Sequence, residues 1–153
     1  MKTVAITGRS GSGKTSLITR LVEIFERKGL TVCCVKHSHH EFSFGPEGKD
    51  TWQMLRAGAA RVIFAGKGMT VDIKRETVPL VEILKGLGKC DIVMVEGFGR
   101  EEIPCVAVAG EDWDGIPRGR KIVAIVGEAG EDTGVPVFPH HDIEGIANFI
   151  LDL

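Results

Sequence analysis

An α/β architecture is predicted, a mostly parallel sheet flanked by helices in three layers, with an antiparallel hairpin as an extension. Three observations predict it. The runs "TVAIT", "LTVCCVK", "CDIVMVEG", "IPCVAVAG" and "RKIVAIVG" are continuously apolar, as strands buried on both faces are. Segments with helical apolar spacing alternate with buried strands, which calls for crossover connections and parallel pairing. The stretch "RVIFAGKGMTVDIKR" differs: it holds two short runs around a glycine-containing turn.

Taken in order, residues 3–7 read as a buried strand ending at a glycine. A helix follows from about Gly13 to Lys28, with Leu17, Ile18, Leu21, Val22 and Phe25 on one face and Gly29 just past its end. Residues 30–36 form a second buried strand, the polar stretch "VKHSHHEFSFGPEGKD" leaves it as a loop, and residues 50–59 form a short helix. The hairpin spans 61–75. The segment "TVPLVEILKGLG" is the next helix, with Thr77 as its expected N-cap. Strands follow at 90–97, 103–110 and 120–127. Residues 135–138 are a short edge strand, and a last helix runs from about Asp142 to Leu151.

With 153 residues, the chain is long enough for one compact domain with a real core, so residues 1–153 are expected to form a single domain. Hydrophobic residues make up 43% and charged residues 26%, ordinary for a soluble globular protein. A net charge of −2 supplies no positive field for nucleic acid or an anionic membrane. No apolar run approaches the roughly 20 residues that span a bilayer, and "MKTVAITG" shows no apolar leader with a cleavage site. Cys33, Cys34, Cys90 and Cys105 form no CxxC pair and are read as reduced, buried small hydrophobes. A cytoplasmic protein is expected.

The chemistry concentrates in "GRSGSGKT", Gly8 to Thr15, which fits G-x-x-x-x-G-K-[ST] with a strand before it and an amphipathic helix after it. Such a phosphate loop, or P-loop, turns tightly on its glycines and presents backbone N–H groups to an anion, with the positive helix end behind them. Gly8, Arg9, Ser10, Gly11, Ser12, Gly13, Lys14, Thr15 and Ser16 are therefore candidate nucleotide-binding residues. Lys14 can reach the β and γ phosphates, and Thr15 can place its hydroxyl on Mg²⁺. Arg9 has two readings: a residue acting across a dimer on the partner's nucleotide, or a solvated loop arginine.

"DIVMVEG" supplies the second carboxylate. Asp91 and Glu96 are separated by about 16 Å of strand, so both cannot serve one site. The ligand crevice of a parallel sheet lies at the carboxyl ends of its strands. Glu96 is thus the expected Mg²⁺ ligand, direct or through water, Asp91 lies at the far rim, and Gly97 lets backbone approach the γ-phosphate. Gln53 is the only glutamine, so no water-positioning glutamine follows Glu96, and hydrolysis is expected to be slow. Asp50 is a candidate to bind Mg²⁺ through water or orient the attacking water; its rival role is to cap the helix it opens. The guanine-reading N-K-x-D motif is absent. Asp112 either accepts from guanine N1 and N2 or is an exposed loop aspartate.

"GRSGSGKTSL", "VKHSHHEF", "GPEGKDTWQMLRAGA" and "DIVMVEGF" resemble, in order and spacing, the molybdopterin-guanine dinucleotide biosynthesis adapter (MobB) family, from about residue 2 to residue 100. The resemblance implies a homodimeric P-loop GTP-binding protein with weak GTPase activity. It implies a partner, the guanylyltransferase MobA, which attaches GMP to molybdopterin to give the guanine dinucleotide form of the molybdenum cofactor. It carries the family's second motif onto Lys36, His37, His39, His40 and Asp50. The histidines can sense the γ-phosphate, the molybdopterin phosphate or the partner, with a metal site as the alternative. The chain departs from the family pattern at Glu41, Gly99 and Cys105, so contacts of the segment after Glu96 are not carried over. Two rival functions stay open: a P-loop kinase or ATP-dependent ligase acting on a small metabolite, and a metal-delivery GTPase using the histidines. The hairpin is either the element that extends a partner's sheet or an edge hairpin of a monomer.

Overall fold

The structure, a computed structural model, describes residues 1–38, 50–99, 101–130 and 133–153. The chain forms two compact units, one of Met1–His37 with Leu87–Leu153 and the other of Ser38–Gly86.

The first unit is built on a six-stranded sheet in the order β2-β5-β1-β6-β7-β8. Its strands are β1 (Lys2–Thr7), β2 (Val32–Lys36), β5 (Ile92–Glu96), β6 (Cys105–Val108), β7 (Ile122–Val126) and β8 (Val137–Phe138). Every pairing is parallel. All carboxyl ends therefore meet at one edge, and β8 is the edge strand expected at 135–138. Helices α1 (Lys14–Arg27) and α4 (Ile143–Asp152) pack together on one face. There Leu17, Leu21, Ile24 and Phe25 of α1 and Ile146 and Ile150 of α4 close over Val4, Ile6, Ile92, Met94, Val106 and Val126. Ile18 and Val22, expected on the buried face, are half-buried at its margin, and Ile24 takes the central place. On the other face Ala107, Ala109 and Ile125 are covered by Trp113, Ile122, Ala129 and Val135. β2 starts at Val32 rather than Leu30, because the Leu30 N–H donates to the Phe25 carbonyl in the turn that ends α1.

The second unit holds α2 (Asp50–Arg56), α3 (Leu80–Gly86), and an antiparallel hairpin of β3 (Arg61–Gly66) and β4 (Met69–Lys74). The hairpin pairs Gly66 with Met69 across the Lys67–Gly68 turn, as the sequence predicts. Thr77 is not the cap of α3. The helix starts beyond Pro79, whose carbonyl accepts from the Glu82 and Ile83 N–H groups. A residue preceding proline is disfavoured from helical geometry, so Val78 keeps the helix from reaching back to Thr77.

All four cysteines are free. Cys90 and Cys105 are buried as expected, but Cys34 is exposed, because it lies on the edge strand β2.

Candidate functional site

β1 delivers the chain to the carboxyl edge at Thr7, and the glycine loop turns it into α1. Gly8 is required twice over. Its φ of +151° disfavours a side chain, and a Cβ there would stand 2.6 Å from Ser12 Oγ and 2.7 Å from the Val108 carbonyl oxygen. The loop folds back so that the Ser12 N–H donates to the Arg9 carbonyl at 3.2 Å. Lys14 Nζ donates to the same carbonyl at 2.7 Å, which lays the ammonium across the loop.

The amino ends of the two helices of this unit differ in a telling way. At α4, Asp142 caps the helix by accepting from the Gly145 N–H at 3.0 Å, and Glu144 adds negative charge to the first turn. At α1, Gly13 offers no capping side chain and the first turn has no acidic residue. Its leading amides and positive dipole end are left for an external anion. Thr15 and Ser16 are exposed in that same turn. Ser12 Oγ is buried without a hydrogen-bond partner among the described residues. An orphaned hydroxyl in a glycine cradle, beneath an uncapped helix end, fits a phosphate-bearing ligand.

Glu96 is the last residue of β5 and pairs in register with Ile6, so its carboxylate stands at the phosphate-loop edge one strand away. Its side chain is 15% exposed and lies 3.3 Å from Lys36 Nζ. Asp91 stands at the opposite rim, where it accepts from the Thr31 N–H at 2.8 Å. Gly97, with φ +107°, permits a close approach, but to His37: a Cβ there would fall 2.6 Å from the His37 carbonyl oxygen. The His37 N–H donates to the Glu96 carbonyl at 2.8 Å, and its ring lies 4.9 Å from that of Phe98. Arg120 Nη2 donates to the Gly97 carbonyl at 3.3 Å, tying the turn down from the other side.

The sheet thus gathers Gly8 to Ser16, Lys36, His37, Glu96 and Gly97 at one edge of one unit. Asp50 opens α2 in the second unit. His39, His40, Glu41 and Arg100 lie outside the described residues. Among the described residues, no group of three or more His, Cys, Asp or Glu side chains is placed to hold a metal ion.

One feature of the edge escapes the sequence. A cavity of about 1000 Å³ opens beside the loop, walled by Thr7 to Ser12, by the segment 108–118, and by Glu128 and His140. Arg9 forms an ion pair with Asp114 across it, both side chains largely exposed. Some signal was available, since Glu128 and His140 closely follow parallel strands and so belong to the carboxyl edge.

A glycine loop between a buried strand and an uncapped helix, with a carboxylate ending the neighbouring parallel strand, defines a P-loop protein. The chain belongs to the MobB family: residues 3–128 match the family model described as molybdopterin guanine dinucleotide synthesis protein B. It is 28% identical to the molybdopterin-guanine dinucleotide biosynthesis adapter protein of Escherichia coli (strain K12), over 97% of this chain and 91% of that protein. It is 31% identical to the probable adapter protein of Bacillus subtilis (strain 168), over 97% of this chain and 90% of that one. The crystal structure of Bacillus subtilis MobB superposes with a TM-score of 0.79 at 27% identity, covering 99% of this chain and 97% of that one.

Proposed function

We propose that this protein is a GTP-binding adapter of molybdenum cofactor biosynthesis, at most a slow GTPase, that assists a MobA-like guanylyltransferase in attaching GMP to molybdopterin. The observation that carries the reading is the uncapped phosphate loop with Glu96 at the same sheet edge, in a chain of the MobB family. The amides of Gly8 to Ser16 hold the phosphates, and Lys14 exchanges the Arg9 carbonyl for the β and γ oxygens. Thr15 and Glu96 would hold Mg²⁺, which supplies charge neutralisation of those oxygens when bound. In slow hydrolysis the oxygen of the attacking water bonds to the γ-phosphorus as the bond to the β-γ bridging oxygen breaks, releasing GDP and phosphate. Lys36, His37, His39, His40 and Gly97 sense the occupied phosphate site or the partner.

We further propose a cytoplasmic homodimer. Among the described residues no helix is long and apolar enough to cross a membrane. Phe64 and Met69, which share one face of the hairpin, are 51% and 66% exposed, an apolar surface suited to a second copy.

Co-purification with the guanylyltransferase in GTP, in GDP and without nucleotide tests the adapter role. A complex whose yield depends on the nucleotide, and is lost in Lys14→Ala, is expected. Turnover of an added small metabolite above about 1 s⁻¹ with MgATP would replace the adapter by an enzyme of flux.

A further inference from the structure

A nucleotide held at the phosphate loop must send its base to one side along the carboxyl edge. The two sides are unlike. Toward β5 and β2, the Lys36–Glu96 pair at 3.3 Å and the His37–Phe98 ring contact at 4.9 Å fill the edge. Toward β6, β7 and β8 lies the cavity of about 1000 Å³. β7 is the second strand from β1 in that direction, about 10 Å away at the usual strand spacing. An extended triphosphate with its β-phosphate in the loop carries its base over that strand. Glu128, which closely follows β7, lines the cavity there.

We infer that Glu128 is the residue that selects guanine, its carboxylate accepting from both the N1–H and N2–H groups of the base. This rests on the phosphate-loop reading above. Guanine offers two adjacent donors on that edge, whereas adenine offers an acceptor at N1, which a carboxylate repels. The other carboxylates of the cavity are badly placed for the task. Glu111, Asp112 and Asp114 follow β6, the strand adjoining β1, where a negative group faces the phosphates rather than the base. Asp114 is already engaged by Arg9. Asp112, which the sequence leaves as either a guanine acceptor or an exposed loop aspartate, therefore yields to Glu128. The remaining walls suit a flat heteroaromatic ring. Trp113 packs on Ala107, Ala109 and Ile125 and borders the cavity. The His140 ring is pinned by its Nε2 contact to the Ala109 carbonyl at 3.0 Å, which leaves the floor fixed.

Titration calorimetry with magnesium salts of GTP, ITP, ATP and XTP decides the matter. For the native chain, GTP should bind at least tenfold more tightly than ATP, and ITP, which lacks the N2 amine, should fall between them. Glu128→Gln should weaken GTP at least tenfold and strengthen XTP, because a carboxamide accepts from N1–H while donating to the xanthine O2. Glu128 is exposed, so the substitution leaves the core intact. A Glu128→Gln protein that keeps its preference for GTP over XTP overturns the inference while leaving the phosphate loop standing, as does the exchange appearing in Asp112→Asn instead. A native chain that binds ITP as tightly as GTP also overturns it. Failure of the native chain to bind any of the four removes the phosphate-loop reading itself, and this inference with it.

Discussion

An interior strand of the sheet unit, β5, and the hairpin of the second unit are written in the same residue types and end in opposite environments. In β5, Ile92, Val93, Met94 and Val95 are buried on both faces, at 1%, 0%, 1% and 1% exposure. In β3, Val62 is buried, yet Ile63 and Phe64 beside it are 57% and 51% exposed. The first strand has spent its apolar surface on its own fold and offers only its carboxyl end, Glu96, to a ligand. The hairpin has kept apolar surface unspent, which a second copy could cover. The proposed roles divide accordingly: nucleotide binding falls to the buried sheet's edge, association to the exposed hairpin.

The largest expected effect tests that contrast with one substitution made twice. Ile92→Ala removes a buried branched side chain from close packing and should cost about 2–5 kcal/mol of unfolding free energy. Ile63→Ala, in a strand of the same length class but exposed, should change the unfolding of the monomer by less than about 0.5 kcal/mol. Urea denaturation of both variants reads the difference, and equal costs would show that the hairpin is packed as tightly as the sheet.

Next in size is the site itself. Lys14→Ala should weaken MgGTP binding by about 2–3 kcal/mol, on the order of a hundredfold, by removing a charge-assisted contact to the phosphates. Its unfolding midpoint without nucleotide should not move, because Lys14 donates to the Arg9 carbonyl at the protein surface rather than to a core group. Asp91→Asn, at the other end of the same strand as Glu96, should leave nucleotide affinity unaltered. Calorimetry on both variants separates the two rims.

These contrasts also show why only part of the molecule is legible in the sequence. The phosphate loop is local: eight consecutive positions state its chemistry, and Gly8 to Thr15 fold as that pattern demands. The choice of Glu96 over Asp91 follows from strand rise and parallel pairing alone. The cavity is different. It depends on β6, β7 and β8 lying side by side beyond β1, an order that no single stretch encodes. Residues as distant as Arg9 and Asp114 meet only through that order. Burial is equally non-local. "LTVCCVK" reads as a buried strand, but β2 is at the sheet's edge and Cys34 is exposed. The start of α3 is a local signal misread, because Pro79 outweighs the capping preference of Thr77.

The two β2 cysteines and Cys90 offer a smaller test of the same boundary. Burial, then the hydrogen bond to Cys90, pushes the Cys33 thiol up to about 11, while burial also raises Cys34. Exposure alone would make Cys34 the more reactive of the pair, but few thiolates of either form near neutrality. Alkylation at pH 7.5 should therefore be slower at both than at an unfolded cysteine, with Cys34 modified first. Mass spectrometry of partially labelled protein gives the order, and rapid labelling of Cys33 would mean that β2 frays from the sheet.

Association ranks below nucleotide binding because one apolar anchor is only part of an interface. Phe64→Lys should raise the dimer dissociation constant by about 1–2 kcal/mol, roughly tenfold, without altering GTP affinity in the monomer. Sedimentation over a concentration series reads it. A native chain that sediments only as a monomer would remove the dimer and leave the hairpin an exposed edge element.

The smallest effect belongs to the hairpin's own ion pair, and its sign is fixed by linkage. Arg61 meets Asp72 across the strands through Nε at 2.8 Å and Nη2 at 2.7 Å. The hydrogen bond from Arg61 holds the Asp72 carboxyl below the usual carboxylate range. A carboxyl whose folded pKa is depressed stabilises the fold above its unfolded pKa, about 3.9, and loses that contribution as pH falls through the folded value. Both side chains face solvent, so the pair is screened and contributes little. Asp72→Asn should therefore lower the hairpin unit's melting midpoint by about 2 °C or less at pH 6, and the difference should vanish below the carboxylate range. Trp52, stacked 4.5 Å from the Arg56 guanidinium, reports on that unit by fluorescence in a Trp113→Phe background. A midpoint difference that persists at pH 2 would assign the effect to strand geometry instead of charge.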